Sequence, residues 1–241
     1  MKTYKAQGIV LHTIKYGDTS MVAYVLTDVH GRRNFMVQGV KSSKGKGNKA
    51  SMLQPMFPLE FEGITTPHSQ MDRMKDMRMA YPLRSLPFDV RKSTIALFMA
   101  EVLYKLIKEV EPNSPLFDFV INSVIALDSM DEGISNFHLW FLMQMSAFLG
   151  FYPANEYSDG DFFDIVEGSF TASSPSHNMV IGRANAGLLA HLMECQPGEL
   201  SDIKLARGQR ADFLASMLHY FGYHLDTVNK IQSLKILSEV F

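Results

Sequence analysis

Met21-Val-Ala-Tyr-Val-Leu-Thr-Asp-Val-His-Gly-Arg-Arg-Asn-Phe-Met-Val37 decides the fold of the N-terminal third. Val22, Tyr24 and Leu26 recur at period two, the alternation of a strand with one face buried. Asp28-Val-His-Gly31 is a turn signal, after which Arg33, Phe35 and Val37 alternate with Arg32, Asn34 and Met36. Outward from this hairpin, residues 8–14 form a β-rich run. Residues 56–61 are a fourth short strand, with Pro55 and Pro58 marking an edge or bend, and residues 69–79 alternate weakly as a fifth. Five short strands with no good helix among them predict a small β-barrel over residues 1–80. The pattern alone leaves an OB-type and an SH3-like barrel both open.

Beyond residue 80 the period changes. Residues 81–89 carry two prolines and read as the domain junction. From residue 90 onward, Ile95, Phe98, Met99, Val102, Leu103, Leu106 and Ile107 recur at intervals of three and four, which is helical. Further helices are expected over residues 116–127, 134–151, 188–193, 210–225 and 234–241. The third of these six, with Phe137, Trp140, Phe141, Met143, Met145 and Phe148, is apolar on most faces and central to a core. Residues 152–182 interrupt the helices with a polar, turn-rich, acidic insert. The expected architecture is α+β in two domains, residues 1–80 and 81–241.

Charge divides along the same line. The 241 residues carry a net charge of −2, yet residues 1–80 hold 12 Lys/Arg against 6 Asp/Glu, and residues 81–241 hold 11 against 19. A basic barrel favours a polyanion through phosphate neutralisation and counterion release. Hydrophobic residues at 46% and charged residues at 20% exclude a disordered chain. No apolar run reaches the ~18–20 residues of a membrane span, and the N-terminus lacks a signal-peptide pattern. A single cysteine, Cys195, excludes an intrachain disulfide or a multi-cysteine zinc site, so a reducing cytoplasm is expected.

The segment Lys41-Ser-Ser-Lys-Gly-Lys-Gly-Asn-Lys49 places Lys41, Lys44, Lys46 and Lys49 among Gly and Ser with no acid. Such a segment can follow a phosphate backbone without reading sequence. It is not a P-loop: the spacing from Gly39 to Lys46 is one residue too long, and Gly47 stands where Ser or Thr would hold magnesium. No nucleophile elbow, H-E-x-x-H or kinase-like set is present. His12 and His138 sit within apolar patterns and read as core histidines. Cys195 has no basic cluster to activate it. Asp159, Asp161 and Asp164 lack the register of a calcium loop, so the insert reads as a solvated loop or small β-ribbon. The weight falls on a binding protein rather than an enzyme. No cofactor is expected.

Five ordered stretches carry a resemblance: Gly8-Ile-Val-Leu-His-Thr, Tyr16-Gly-Asp-Thr-Ser, Thr27-Asp-Val-His-Gly31, Gln38-Gly-Val-Lys41 and Leu53-Gln-Pro-Met-Phe-Pro-Leu-Glu-Phe61. Together with Phe148-Leu-Gly-Phe-Tyr-Pro153 they resemble RecO, the bacterial recombination mediators. The resemblance implies an OB-fold followed by a helical domain and binding of single- and double-stranded DNA. It also implies annealing of complementary strands, and partnership with RecR, with the single-stranded-DNA-binding protein SSB and indirectly with RecA. It maps the DNA contacts onto Lys41, Lys44, Lys46 and Lys49, and onto Arg32 and Arg33 after the hairpin turn. Arg73 and Lys75 on the fifth strand complete the candidate set. Many members bind zinc through four cysteines after the Gly-Tyr-x-Pro stretch. Residues 153–182 have none, so zinc is not expected and the insert at 152–182 is a non-zinc one. Residues 139–146 are uncharged where members carry basic residues for SSB; Lys204, Arg207 and Arg210 are the substitutes. A nucleoid-associated cytoplasmic protein is implied. An RNA-binding OB protein, a structural adaptor, and a metal-dependent hydrolase built on the 159–164 carboxylates are the rival readings.

Overall fold

The computed structural model describes residues 2–40, 49–65, 69, 71–108, 111–154 and 156–241, the side chain of Asn229 excepted. It divides into two compact units, residues 1–128 and 129–241.

In the first unit, residues of alternating polarity form β1 (Lys2–Tyr16), β2 (Ser20–Thr27), β3 (Gly31–Val37), β4 (Pro58–Thr65) and β5 (Asp72–Met79). A one-turn helix, α1 (Lys49–Met52), precedes β4, and α2 (Val90–Leu106) and α3 (Ser114–Ser129) follow β5. Every strand has two neighbours. β1 pairs with β2 and β4, β2 with β3, β4 with β5, and a short parallel pairing joins β3 to β5, so the sheet closes in the order β1-β2-β3-β5-β4. The long β1 serves both sides. Its first half pairs with β4 and its second with β2, across a register shift between Val10 and His12. The period-two residues converge inside: Val10, Ala23, Val25, Phe35, Val37, Leu59, Phe61 and Met74 form one buried cluster. Phe35 meets Phe61 edge-to-face at 4.9 Å.

The proline-rich segment at 81–89 lies inside the first unit, because α2 packs on β1 and because α3 holds the segment down. The Asp128 carboxylate accepts the backbone N–H groups of Arg84, Ser85 and Leu86. Lys92, buried on α2, donates its Nζ to Ser85 Oγ at 2.6 Å and to the Asp128 carbonyl at 2.8 Å. A buried ammonium is tolerated there because those acceptors replace its water. Asp89 caps α2 by accepting the Arg91 N–H.

The second unit contains α4 (Phe137–Leu149), α5 (Arg183–Glu194), α6 (Arg207–His224) and α7 (Ser233–Val240). The α4 helix is buried on nearly every face, as its composition requires, and α5 and α6 pack around it. Gly150 ends α4 in the left-handed conformation at φ 84°, which a side chain would strain. The insert forms a three-stranded sheet of β6 (Phe162–Asp164), β7 (Ser169–Thr171) and β8 (Val180–Ile181), in the order β7-β6-β8. It is held by an aromatic chain running Tyr157–Phe170–Phe163–Tyr220 and by Asp164, which accepts the Val166 and Glu167 N–H groups and meets His177 at 3.3 Å.

Candidate nucleic-acid interface

Along β5, Asp72 and Met74 turn inward while Arg73 and Lys75 are exposed. Cross-strand register places Arg73 beside Met36 of β3, Met36 opposite Val22 of β2, and Val22 opposite Ile14 of β1. Facing residues of paired strands share a side of the sheet, so this row lies on its outer side, with Ile14 and Arg73 exposed at its ends and Val22 buried between them. Arg73 lies between Met36 and Ile64 and has no ion pair among the described residues. Lys75 is opposite Glu62, and Arg78 is ion-paired with Glu60. Asp28, Glu60, Glu62 and Asp76 line, together with Lys5 and Arg78, a polar cavity of about 490 Å³ beside β4, so charges of both signs meet on that side.

The adjacent arginines after the hairpin turn point to opposite sides. Arg32 lies on the outer face and is engaged: its Nη1 donates to the carbonyls of Tyr104 and Ile107 at 2.7 and 2.8 Å. These are orphan carbonyls at the C-terminus of α2, where a cation is favoured. The same guanidinium lies 4.5 Å from the ring centre of Tyr104 and 5.6 Å from that of Tyr24. Arg33 shares the inward register of Phe35 and Val37, and its Nε is buried with no hydrogen-bond partner among the described residues. Near it the Tyr4 hydroxyl donates to Asp72 Oδ2 at 2.6 Å. Burial first, and then that bond to Asp72, raise the Tyr4 hydroxyl above its ordinary range, with Arg33 pulling the other way. Gly63 is required beneath this ring, since a Cβ there would stand 2.4 Å from Tyr4 Cζ.

Lys49 is exposed on α1 and donates its Nζ to the Gln38 carbonyl at 3.3 Å. Lys41, Lys44 and Lys46 lie outside the described residues. Val40, the residue before them, donates its N–H to the Thr19 carbonyl at 2.8 Å, at the turn between β1 and β2.

Of the aromatic side chains on or beside the sheet, Tyr16 is exposed and Phe35 is buried; Phe57 and Tyr24 are half-buried. His12, expected in the core, is instead exposed on β1, because the shift after Val10 turns it outward onto Tyr24 and Tyr104, at 5.8 and 4.7 Å between ring centres. His138 is fully buried, and burial pushes its imidazole down to about 3, the Arg210 charge acting in the same direction.

In the second unit Lys204 is exposed and bonds the Ser201 carbonyl at 2.6 Å. Arg207 bonds the Ser238 carbonyl. Arg210 is half-buried and bonds Asn136 Oδ1, Ser135 Oγ and the Leu205 and Phe241 carbonyls. Arg207 and Arg210 share, with His138, Leu218, Leu237 and Phe241, an apolar pocket of about 220 Å³; Lys204 does not line it. Desolvation lifts the Cys195 thiol to about 11, with Glu199 and Asp202 adding to the effect.

Residues 1–83 match the family model described as "Recombination protein O N terminal", and residues 87–234 match "Recombination protein O C terminal". The chain belongs to the RecO family. It is 38% identical over 239 residues to the DNA repair protein RecO of Bacteroides fragilis, covering 98% of each chain. The corresponding protein of Phocaeicola vulgatus is 38% identical over 238 residues, and that of Flavobacterium psychrophilum 33% over 238, each again with 98% of both chains covered. These RecO proteins are DNA repair proteins by name, and DNA repair is the function the family supports here. The zinc that the resemblance attributes to many members does not fit this chain. The insert has no cysteine, and among the described residues no three His, Cys, Asp or Glu side chains are grouped to hold an ion. The insert is joined to α6 by Phe163, which packs on both Phe170 and Tyr220. Among the described residues no helix is long and apolar enough to cross a membrane.

Proposed function

We propose that this chain is a non-catalytic DNA-handling protein that binds single- and double-stranded DNA, anneals complementary strands and assists recombinase loading onto SSB-coated DNA. The closed sheet is read as an OB-fold, for which the strand order β1-β2-β3-β5-β4 is the support. One observation carries the DNA reading: Arg73 stands exposed and free of any described ion pair on the outer face of a closed sheet, in a RecO-family chain. Lys49 and Lys75 add exposed charge. Cations that neutralise phosphates on two strands lower their mutual repulsion and let complementary bases pair. Arg32 and Arg33 enter this reading as supports of the sheet, since their guanidinium groups face α2 and the interior. RecR, SSB and, indirectly, RecA are the proposed protein partners. The pocket holding Arg207 and Arg210 is the proposed contact for an acidic partner segment with an apolar end. A cytoplasmic, nucleoid-associated location goes with that role.

The test is fluorescence anisotropy with a labelled single strand and its duplex across a salt series, followed by an annealing assay on the same sample. A linear fall of log affinity with log salt, and annealing faster than the spontaneous rate, is expected. Absence of salt-dependent binding would favour the adaptor reading. Preference for an RNA strand over DNA of the same sequence would favour an RNA-binding OB protein.

A further inference from the structure

We infer that the outer edge of β1, through His12, Ile14 and Tyr16, is a stacking surface for the bases of an unpaired DNA strand and makes this face selective for single strands over duplex. The inference rests on the DNA reading above and names which form of DNA the face takes.

His12, Ile14 and Tyr16 alternate along a regular stretch of β1, opposite Tyr24, Val22 and Ser20 of β2. All three are exposed, and Ile14 and Tyr16 at 45% and 57% are too open for core residues. Alternate residues of a strand repeat at about 6.8 Å. That is twice the ~3.4 Å step of stacked bases, the separation two bases take up when one flat group slides between them. The strand therefore offers one apolar or aromatic side chain per opened step. A duplex meets this spacing only by unstacking, whereas an unpaired strand meets it at little cost.

The inner end of the row is fixed. His12 lies 4.7 Å from Tyr104 in a tilted stack, Tyr104 meets Tyr24 edge-to-face at 5.1 Å, and Arg32 ties both tyrosines to the end of α2. The outer end is free, since Tyr16 has no ring partner among the described residues.

Charge identifies the occupant as a polyanion. Arg73, exposed and without an ion pair among the described residues, lies on the cross-strand row that begins at Ile14, whereas Lys15, opposite Met21, leaves β1 on the other face. Lys49 is held at Gln38, and Val40 is hydrogen-bonded to Thr19 in the turn that follows Tyr16. Asp18 in the turn is an exposed acid, and Glu101 on α2 is paired with Lys105.

The experiment measures affinities of the full chain for a labelled oligo-dT strand and for a duplex of equal length, at one salt concentration. The variants are Tyr16→Ala, Ile14→Ala and Tyr16→Trp. Both alanine variants alter exposed side chains, so folding is preserved. Tyr16→Ala should weaken single-strand binding by about 5- to 100-fold, as loss of one stacked base does, and leave duplex binding within about twofold. Tyr16→Trp should restore single-strand binding. A strand carrying 5-iodouracil should crosslink to the peptide containing residues 12–16. Equal losses for strand and duplex, or no loss for either, would overturn the stacking surface while leaving the DNA reading in place. An unsubstituted chain that binds neither DNA form would overturn both.

Discussion

Arg32→Ala should destabilise the first unit by about 3 kcal/mol without changing the salt dependence of DNA binding. The magnitude follows from its contacts. One guanidinium nitrogen donates to the Tyr104 and Ile107 carbonyls at 2.7 and 2.8 Å. Charge-assisted bonds of this kind contribute roughly 1.5–3 kcal/mol each, but because one nitrogen serves both acceptors and the side chain is half-buried the pair together contributes about 2–2.5 kcal/mol. The contact with the Tyr104 ring adds about 0.5–1 kcal/mol. Truncation also leaves the last carbonyls of α2 without a donor. In urea, at a slope of ~2–3 kcal/mol per M, the midpoint should fall by roughly 1–1.5 M. Arg32→Lys should recover part of the loss, since an ammonium retains charge but not the planar fork. Arg73→Ala should do the opposite. Its exposed side chain leaves stability within about 0.5 kcal/mol, while the slope of log affinity against log salt shrinks by about 0.7–0.9. If Arg32→Ala shrank the salt slope by that amount and left the urea midpoint unmoved, Arg32 would be a phosphate contact and the assignment to the α2 terminus would be wrong.

The histidine at the centre of the second unit makes stability depend on pH. His138 is held neutral down to about 3 by burial and by Arg210, while the unfolded chain takes up the proton near 6.5. Stability should therefore be full above about pH 6.5 and fall by up to about 1.4 kcal/mol per unit on acidification toward 3, a dependence that His138→Gln flattens in urea titrations at stepped pH. Asp128 acts in a lower window. Burial raises its carboxyl, but the amides of Arg84, Leu86 and Ser85 together with Lys92 outweigh this and hold it below its ordinary value. Its contribution is present above the ordinary carboxylate range and lost as pH falls through the lowered one. Asp128→Ala should cost about 2 kcal/mol and accelerate hydrogen exchange at the Arg84, Ser85 and Leu86 amides. With its thiol lifted to about 11, Cys195 should react with an alkylating agent at pH 8 only after unfolding, and rapid labelling of the native chain would contradict its burial.

Strand and helix types were legible in the sequence because side-chain period separates a strand from a helix, but it did not report which face of β2 is turned inward: the barrel core takes Ala23 and Val25 rather than the Val22, Tyr24 and Leu26 face. The alternation of Val22, Tyr24 and Leu26 became β2, the three-and-four pattern from Ile95 became α2, and the apolar run at 137–149 became the buried α4. Boundaries moved by a few residues. The start of α5 at Arg183 was hidden because its first turn carries no apolar stripe. The charge difference between residues 1–80 and the rest, and the cysteine count, depend on composition alone and needed no coordinates.

What period could not supply was the destination of each polar group. Arg32 and Arg33 are neighbours in sequence, yet β3 sends one to the end of α2 and the other inward, because successive side chains leave a strand on opposite faces. Lys92 and Asp128 are 36 residues apart and carry no motif; only packing of α2 with α3 makes them clamp residues 84–86. His12 looked internal until the register shift after Val10 turned it onto Tyr104. The sequence by itself determined which segments are strands and helices, that the N-terminal part is basic and that a multi-cysteine metal site is not available, since these are local or additive properties. Only the tertiary structure decided which of the described cations are engaged within the chain, because a charge is spent or left over according to what long-range packing places beside it.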